Sequence, residues 1–184
     1  IAGVAAAYVF VRLLLSIGQR GTPRRLPIEV PSEWVDRVHY SLADARSFAG
    51  RRVLVVGLGD VAMEAAVALS RQPGTEVILC HRGDDFHRGK ARNIAEVRRR
   101  QAASALRILW QSEIRGLEPD GAALSSPEGT VKIQCDALLV FIGSIAPVAL
   151  LRQAGIGAGE IASVPRPLNP DDPARWPDRP EETR

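Results

Sequence analysis

The chain has 184 residues, of which 46% are hydrophobic, so it can form one domain with a sizeable core but not two large ones. The net charge is +3, but the basic residues are scattered and aromatic residues make up only 5%, which argues against a nucleic-acid-binding protein. The two cysteines, Cys80 and Cys135, are far apart and lack the spacing of metal ligands. They indicate buried thiols of a cytoplasmic protein rather than a disulfide framework or a metal site.

The N-terminal segment is strongly apolar, but Arg12 interrupts it before it reaches the roughly twenty residues needed to cross a bilayer. A membrane anchor is therefore disfavoured. The chain begins without Met, which we interpret as a sign of a fragment of a longer protein. We expect residues 1–26 to precede the main domain as a separate segment, with a connector strand over 8–17 and a turn over 21–25. Residues 27–52 are expected to form a linker that packs on the domain through three side chains: Trp34, Val38 and Tyr40.

The segment VLVVGLGDVAMEAA, residues 53–66, passes from a short apolar run through two glycines into a helical pattern. This order is typical of a strand buried in a parallel sheet, followed by a tight turn and a helix. Gly57 suits the turn, Gly59 lets a ligand approach the backbone, and Ala62 allows close packing of helix on strand. Because the first amides of the helix point at the turn, the segment is a candidate pyrophosphate site. An ordinary βα turn that uses glycine for its geometry alone is the alternative.

A second strand over 76–80 completes a βαβ unit. Its end lies about twenty residues past the glycines, where a dinucleotide fold that prefers NAD carries an acid for the ribose 2′-hydroxyl. The chain has His81 and Arg82 there, and Arg88 follows. Guanidinium groups suit a 2′-phosphate, so we expect NADPH to be preferred over NADH. Two aspartates between these cations weaken that expectation.

The remaining pattern predicts an α/β fold. Four further elements are expected in chain order: a surface helix over 90–105, a strand over 106–110, an antiparallel hairpin meander over 113–134 and a buried strand over 136–143. Together they predict a three-layer Rossmann-like dinucleotide-binding domain over 53–157, with a parallel sheet and a β-meander crossover. Residues 158–184 are rich in proline and poor in apolar residues, so we expect them to form a disordered tail.

Four segments in this order resemble one known family. They are LLLSIGQRGTPRRL (13–26), VLVVGLGDVAMEAAVAL (53–69), HRGDDFHR (81–88) and CDALLVFIGSIAPVALLRQAGI (135–156). The family is the thioredoxin reductase-like FAD-dependent pyridine-nucleotide oxidoreductases, and the likeness is to their NAD(P)H-binding domain. The second segment resembles the second dinucleotide fingerprint of such proteins, and the third resembles their NADPH-selecting loop.

The resemblance implies hydride transfer from NADPH to FAD and on to an unknown acceptor, with no catalytic side chain from this chain. Glu64 would lie near the nicotinamide, although a carboxylate there also stabilises a helix N-terminus. The resemblance also implies that residues 1–26 are the end of an FAD-domain-like segment, and that Gly18 and Gly143 would lie toward the flavin. The cofactor-binding residues that the resemblance implies are Gly18, Gly57, Leu58, Gly59, Asp60, Val61, Ala62, Glu64, His81, Arg82, Arg88, Ile142 and Gly143.

The sequence departs from this family in two ways: it has neither the FAD fingerprint GxGxxG nor a redox CxxC. FAD is therefore expected in the complete protein but not in this chain alone, which would need the missing FAD domain or a flavin partner and would be inactive by itself. A homodimer is a candidate assembly. Two other functions stay open: a truncated, non-catalytic NADP-binding module, and a flavin-independent NAD(P) dehydrogenase. The second needs a proton donor, and both tyrosines, Tyr8 and Tyr40, precede the expected fold.

Overall fold

The computed structural model describes residues 21–145 and 152–153, and the latter two residues are helical. Residues 21–145 contain two α-helices and ten short strands. The helices are α1 (Asp60–Leu69) and α2 (Ala91–Ala102), and single 3₁₀ turns cover Ser32–Trp34 and Ala45–Phe48. The strands are β1 (Thr22–Pro23), β2 (Val38–His39), β3 (Arg52–Val56), β4 (Glu76–Cys80), β5 (Arg107–Leu109), β6 (Glu113–Glu118), β7 (Gly121–Ser126), β8 (Gly129–Gln134), β9 (Ala137–Val140) and β10 (Ser144–Ile145).

The central sheet is parallel and has the strand order β2-β9-β3-β4-β5. Its middle strand β3 is apolar throughout its buried part because both faces of the sheet are covered. Val53 and Val55 pack in one core cluster, whereas Leu54 and Val56 pack in the other. The alternation follows from the two-residue period of a strand.

The two core clusters define three layers. The first core cluster contains buried residues of α1 and α2, such as Met63 and Val97, and lies on one face of the parallel sheet. The second contains Ile114, Leu124 and Ile133 of the antiparallel β6-β7-β8 sheet and lies on the other face. The prediction of an α/β, three-layer Rossmann-like domain with a parallel sheet and a β-meander is confirmed.

The segment before β3 is built into this unit. Trp34 is fully buried, and its indole Nε1 donates a hydrogen bond of 2.7 Å to the carbonyl oxygen of Glu118. Strand β2 pairs with β9 and adds the edge of the sheet. Residues 27–52, which the sequence predicts as a linker, thus contribute an edge strand and a buried indole to the fold.

The expected turn over 21–25 is wrong at its first residues, since Thr22 and Pro23 form β1 and pair with Ile145 and Ser144 of β10. The predicted strand over 8–17, Gly18 and the Pro-rich tail over 158–184 lie outside the described residues. None of the helices in the described part of the chain is both long enough and apolar enough to cross a membrane.

Candidate functional site

Four neighbouring strands of the parallel sheet end level with one another. Val56 at the end of β3 lies opposite Cys80 of β4 and Val140 of β9, and Cys80 lies opposite Leu109 of β5. The residues after these ends therefore begin adjacent loops at the carboxyl edge: Gly57, His81, Trp110 and Phe141. In open α/β sheets this edge is where ligands bind.

Gly57 is fixed by the fold. Its φ is +117°, and a Cβ at this position would collide with the backbone carbonyl oxygen of Phe141. Its N–H donates to the carbonyl oxygen of Cys80 at 3.0 Å, and Phe141 N–H donates to the carbonyl oxygen of Val56 at 2.8 Å. Only glycine suits this conformation and this approach of two strand ends.

Gly59 stands in open space instead. No atom lies within 4 Å of a Cβ built there, and the residue is the N-cap of α1 without any side-chain hydrogen bond. The first helical hydrogen bond runs from Met63 N–H to the carbonyl oxygen of Gly59 at 3.0 Å. The backbone N–H groups of residues 58–62 have no acceptor in the part of the chain that the structure describes. A row of free amides at the positive end of a helix, with room in front of it, fits a pyrophosphate.

The side chains around this turn divide into buried and exposed ones. Leu58 and Ala62 are buried and anchor the turn and the helix in the core, whereas the side chain of Val61 is 61% exposed. The anchored pair keeps the free amides in a fixed geometry.

The loop after β4 is held at its first residues by the chain after β5. His81 N–H donates to the carbonyl oxygen of Leu109 at 2.9 Å, and the carbonyl oxygens of His81 and Gly83 accept from Ser112 N–H and Gln111 N–H. The indole of Trp110 meets the rings of His81 and Phe86 edge-on, with ring centroids 6.1 and 5.1 Å away.

Arg82 and Arg88 are exposed and form no ion pair or hydrogen bond with side chains in the described residues. The two aspartates between them are engaged elsewhere. Asp84 accepts from His87 Nε2 at 3.0 Å, and Asp85 lies 3.8 Å from an Arg98 guanidinium nitrogen. Both guanidinium groups are thus available to an anion.

Burial shapes the protonation of three groups near the sheet. Burial, with the nearby His87 and Arg82, lowers the pKa of His81, so its imidazole is neutral at neutral pH. Burial raises the pKa of Cys80 to about 12 and that of Cys135 to about 11, so neither thiol is ionised at neutral pH. Among the described residues, no cluster of three or more His, Cys, Asp or Glu side chains is arranged to hold a metal ion.

The far end of the same loop is attached to α1. The Asp60 carboxylate accepts from Lys90 N–H at 2.8 Å and from Asn93 Nδ2 at 2.7 Å. Asn93 Nδ2 also donates to Glu64 Oε1 at 2.9 Å, so Glu64 contacts α2. Sequence reasoning missed Asn93. The start of α2 has no Ser, Thr or Asp at its N-cap, which signals that a cap comes from elsewhere but does not point to Asn93.

The sequence profile of the pyridine nucleotide-disulphide oxidoreductases matches residues 3–165. The chain belongs to this family. It is 45% identical to the ferredoxin–NADP reductase of Ignicoccus hospitalis over 74 residues, which are 40% of this chain and 23% of that protein. It is 32% identical to ferredoxin–NADP reductase 1 of Bacillus pumilus over 159 residues, which are 80% of this chain and 44% of that protein.

The fold agrees with that of a solved member of the thioredoxin reductases. The thioredoxin reductase of T. acidophilum superposes with a TM-score of 0.64 at 18% identity, over 74% of this chain and 46% of that one. The chain spans less than half the length of each of these proteins. The resemblance seen in the four sequence segments is confirmed at the level of family and fold.

In this pyridine nucleotide-disulphide oxidoreductase chain, the remaining predicted site residues follow β9. Ile142 is 36% exposed, and Gly143 has a φ of +99° and accepts a hydrogen bond of 3.0 Å from Arg24 N–H. The structure therefore brings the glycine turn, the loop that begins at His81 and the segment that begins at Phe141 to one edge of the sheet.

Proposed function

We propose that this chain is the NADPH-binding part of a flavin-dependent oxidoreductase that passes hydride from NADPH to FAD and on to a further acceptor. One observation carries the proposal: the open turn at Gly59, with its row of free amides, begins at the same sheet edge as the loop that carries Arg82 and Arg88. A pyrophosphate and a 2′-phosphate are the two anionic groups of NADPH, and this edge offers donors of two matching kinds.

The amides of residues 58–62 would bind the pyrophosphate, helped by the positive end of the α1 dipole. Arg82 and Arg88 would bind the 2′-phosphate through charge-assisted hydrogen bonds, which a neutral ribose hydroxyl cannot form with the same strength. The neutral ring of His81 adds no charge and can lie against the adenine. When bound, the reduced nicotinamide supplies the hydride, and the chain supplies its position.

The relatives named ferredoxin–NADP reductase support NADP as the nucleotide. The described residues contain one tight glycine turn between a parallel strand and a helix, the turn from β3 to α1, since the connection from β4 to α2 is a longer loop. One such turn fits one dinucleotide. We therefore assign this turn to NADPH and assign the flavin to an FAD domain or a flavin partner.

A titration of the full 184-residue chain with NADPH and with NADH tests the proposal. Isothermal calorimetry should give at least about tenfold tighter binding of NADPH, equal to about 1.4 kcal/mol from contacts with the 2′-phosphate. Equal affinities would contradict the choice of NADPH, and an absence of binding would contradict the site itself. The purified chain should also be colourless, and copurified flavin would contradict the assignment of the flavin to another domain.

A further inference from the structure

Helix α2 begins without a cap of its own. Its N-cap residue is Lys90, whose side chain makes no capping hydrogen bond, and its first turn carries no acidic residue. The cap comes from α1 instead, because the Asp60 carboxylate accepts from Lys90 N–H at 2.8 Å. Asp60 thus stands at the N-terminus of its own helix and at the N-terminus of α2, where a negative charge is favourable in both cases.

Asn93 reinforces this junction. Its single amide nitrogen donates to Asp60 Oδ1 at 2.7 Å and to Glu64 Oε1 at 2.9 Å, so it links α2 to two successive turns of α1. The backbone just before α2 also lies close to α1. Gly89 has a φ of +117°, and a Cβ at this position would collide with the end of the Met63 side chain. Residues 89–93 therefore pack directly on α1. Gly89 contacts the buried Met63 side chain, and hydrogen bonds to Asp60 and Glu64 hold the segment there.

The loop from His81 to Arg88 is consequently fixed at both ends. At its start, His81 N–H donates to the carbonyl oxygen of Leu109. At its finish, Arg88 precedes Gly89 directly, so the position of the Arg88 backbone depends on the junction with α1. The side chain of Arg88 is exposed and is free to meet a ligand.

We propose that Asn93 is a positioning residue for the selection of NADPH over NADH, acting through Arg88. This inference rests on the proposed function, since it names a residue that sets the specificity of the same site. Asn93 keeps the end of the loop against α1, which limits the region that the Arg88 guanidinium can reach. An arginine whose backbone is held in place loses less conformational entropy when it binds a phosphate.

The test measures the ratio of the dissociation constants of NADH and NADPH on the full-length chain, with Asn93→Ala, Arg88→Ala and the double variant. Asn93→Ala should lower the ratio about three- to tenfold, as expected for one modest polar interaction, and should leave NADH affinity within about twofold. In the Arg88→Ala background, Asn93→Ala should have no further effect on the ratio, because the residue through which it acts is gone. Gln101→Ala, an exposed position near the other end of α2, is the matched control and should leave the ratio unchanged.

Each outcome decides between the two proposals. A wild-type chain that binds both nucleotides equally would overturn the proposed function and this inference together. A wild-type preference for NADPH that survives Asn93→Ala, or equal weakening of both nucleotides, would overturn only the role of Asn93. If the effects of Asn93→Ala and Arg88→Ala on the ratio of dissociation constants are additive, the role of Asn93 is likewise overturned, because it then does not act through Arg88. Thermal melting checks the fold of each variant, and if Asn93→Ala does not fold, Asp60→Ala tests the junction from the other helix with the same expected loss of the ratio.

Discussion

Gly57 and Phe141 approach each other so closely that any side chain at position 57 would overlap the carbonyl oxygen of Phe141. Gly59, two residues later, faces open space and has an ordinary negative φ of −78°. The two glycines of one turn therefore have separate roles. Gly57 lets two strand ends meet, and Gly59 leaves room in front of the helix N-terminus.

Substitution should separate these roles. Gly57→Ala should destabilise the domain by about 1 to 3 kcal/mol from backbone strain alone, with the collision against Phe141 as an additional cost. Gly59→Val should leave the fold intact and abolish NADPH binding, because the branched side chain occupies the space that a pyrophosphate needs. Urea unfolding and calorimetry on the same samples measure both effects. A Gly59→Val protein that is folded and still binds NADPH would show that the turn is not a nucleotide site.

Arg82 should distinguish the two nucleotides. Arg82→Ala removes an exposed guanidinium that has no ion-pair partner in the described residues, so the fold should be unaffected. We expect NADPH binding to weaken by about 1.5 to 3 kcal/mol, and NADH binding to change little, since only the former carries the 2′-phosphate. Arg51 is an exposed arginine just before β3, at the amino ends of the strands and away from the proposed site. Arg51→Ala is the control and should alter neither affinity. Equal losses for both nucleotides after Arg82→Ala would contradict a 2′-phosphate contact.

The unit from β3 to β4 could be predicted from the sequence because its signals are local. A strand covered on both faces is a continuous apolar run, and the two glycines stand at a fixed distance from it. The order of the later elements then indicates a parallel sheet with a meander. These features also carried the resemblance to the family, which the match over residues 3–165 confirms.

The contacts that were not predicted join segments far apart in the chain. The strands β1 and β10 have two residues each and pair Thr22 with Ile145, and two residues are too few to show any periodicity. Asn93 is a half-buried polar residue in a helix, and nothing in the sequence indicates that its amide meets Asp60 on another helix. Such contacts follow from how two helices dock, which depends on the whole core.

Asp136 should make stability depend on pH in the acid range. Its carboxylate accepts from Arg52 N–H at 2.8 Å and from an Arg52 guanidinium nitrogen at 2.6 Å, and this hydrogen bonding lowers its pKa from 3.8 to about 2. Because folding favours the ionised form, the stabilisation is present above about pH 4 and is lost as the pH falls toward 2. Both side chains are 38% exposed, so solvent screening reduces the contribution to about 1 kcal/mol.

Asp136→Asn should therefore lower the free energy of unfolding by about 1 kcal/mol at neutral pH and by much less near pH 2. Urea unfolding at several pH values measures this difference. Glu128→Gln, in the exposed turn between β7 and β8, should give no comparable change. A loss of stability that is equally large at both pH values would mean that the charge of Asp136 is not its cause.

Trp34 tests whether the segment before β3 is part of the folding unit. Its indole is fully buried, donates to the carbonyl oxygen of Glu118 and lies under the Arg37 guanidinium at 3.7 Å from the ring centroid. Trp34→Ala should cost about 3 to 5 kcal/mol of stability through the cavity that it leaves, and Trp34→Phe about 1 to 3 kcal/mol through the unpaired carbonyl. The neighbouring Val35 is 63% exposed, so Val35→Ala should change the free energy of unfolding by no more than about 0.5 kcal/mol. If Trp34→Ala unfolds at the same urea concentration as the wild type, residues 27–52 act as a linker, and the domain begins at β3.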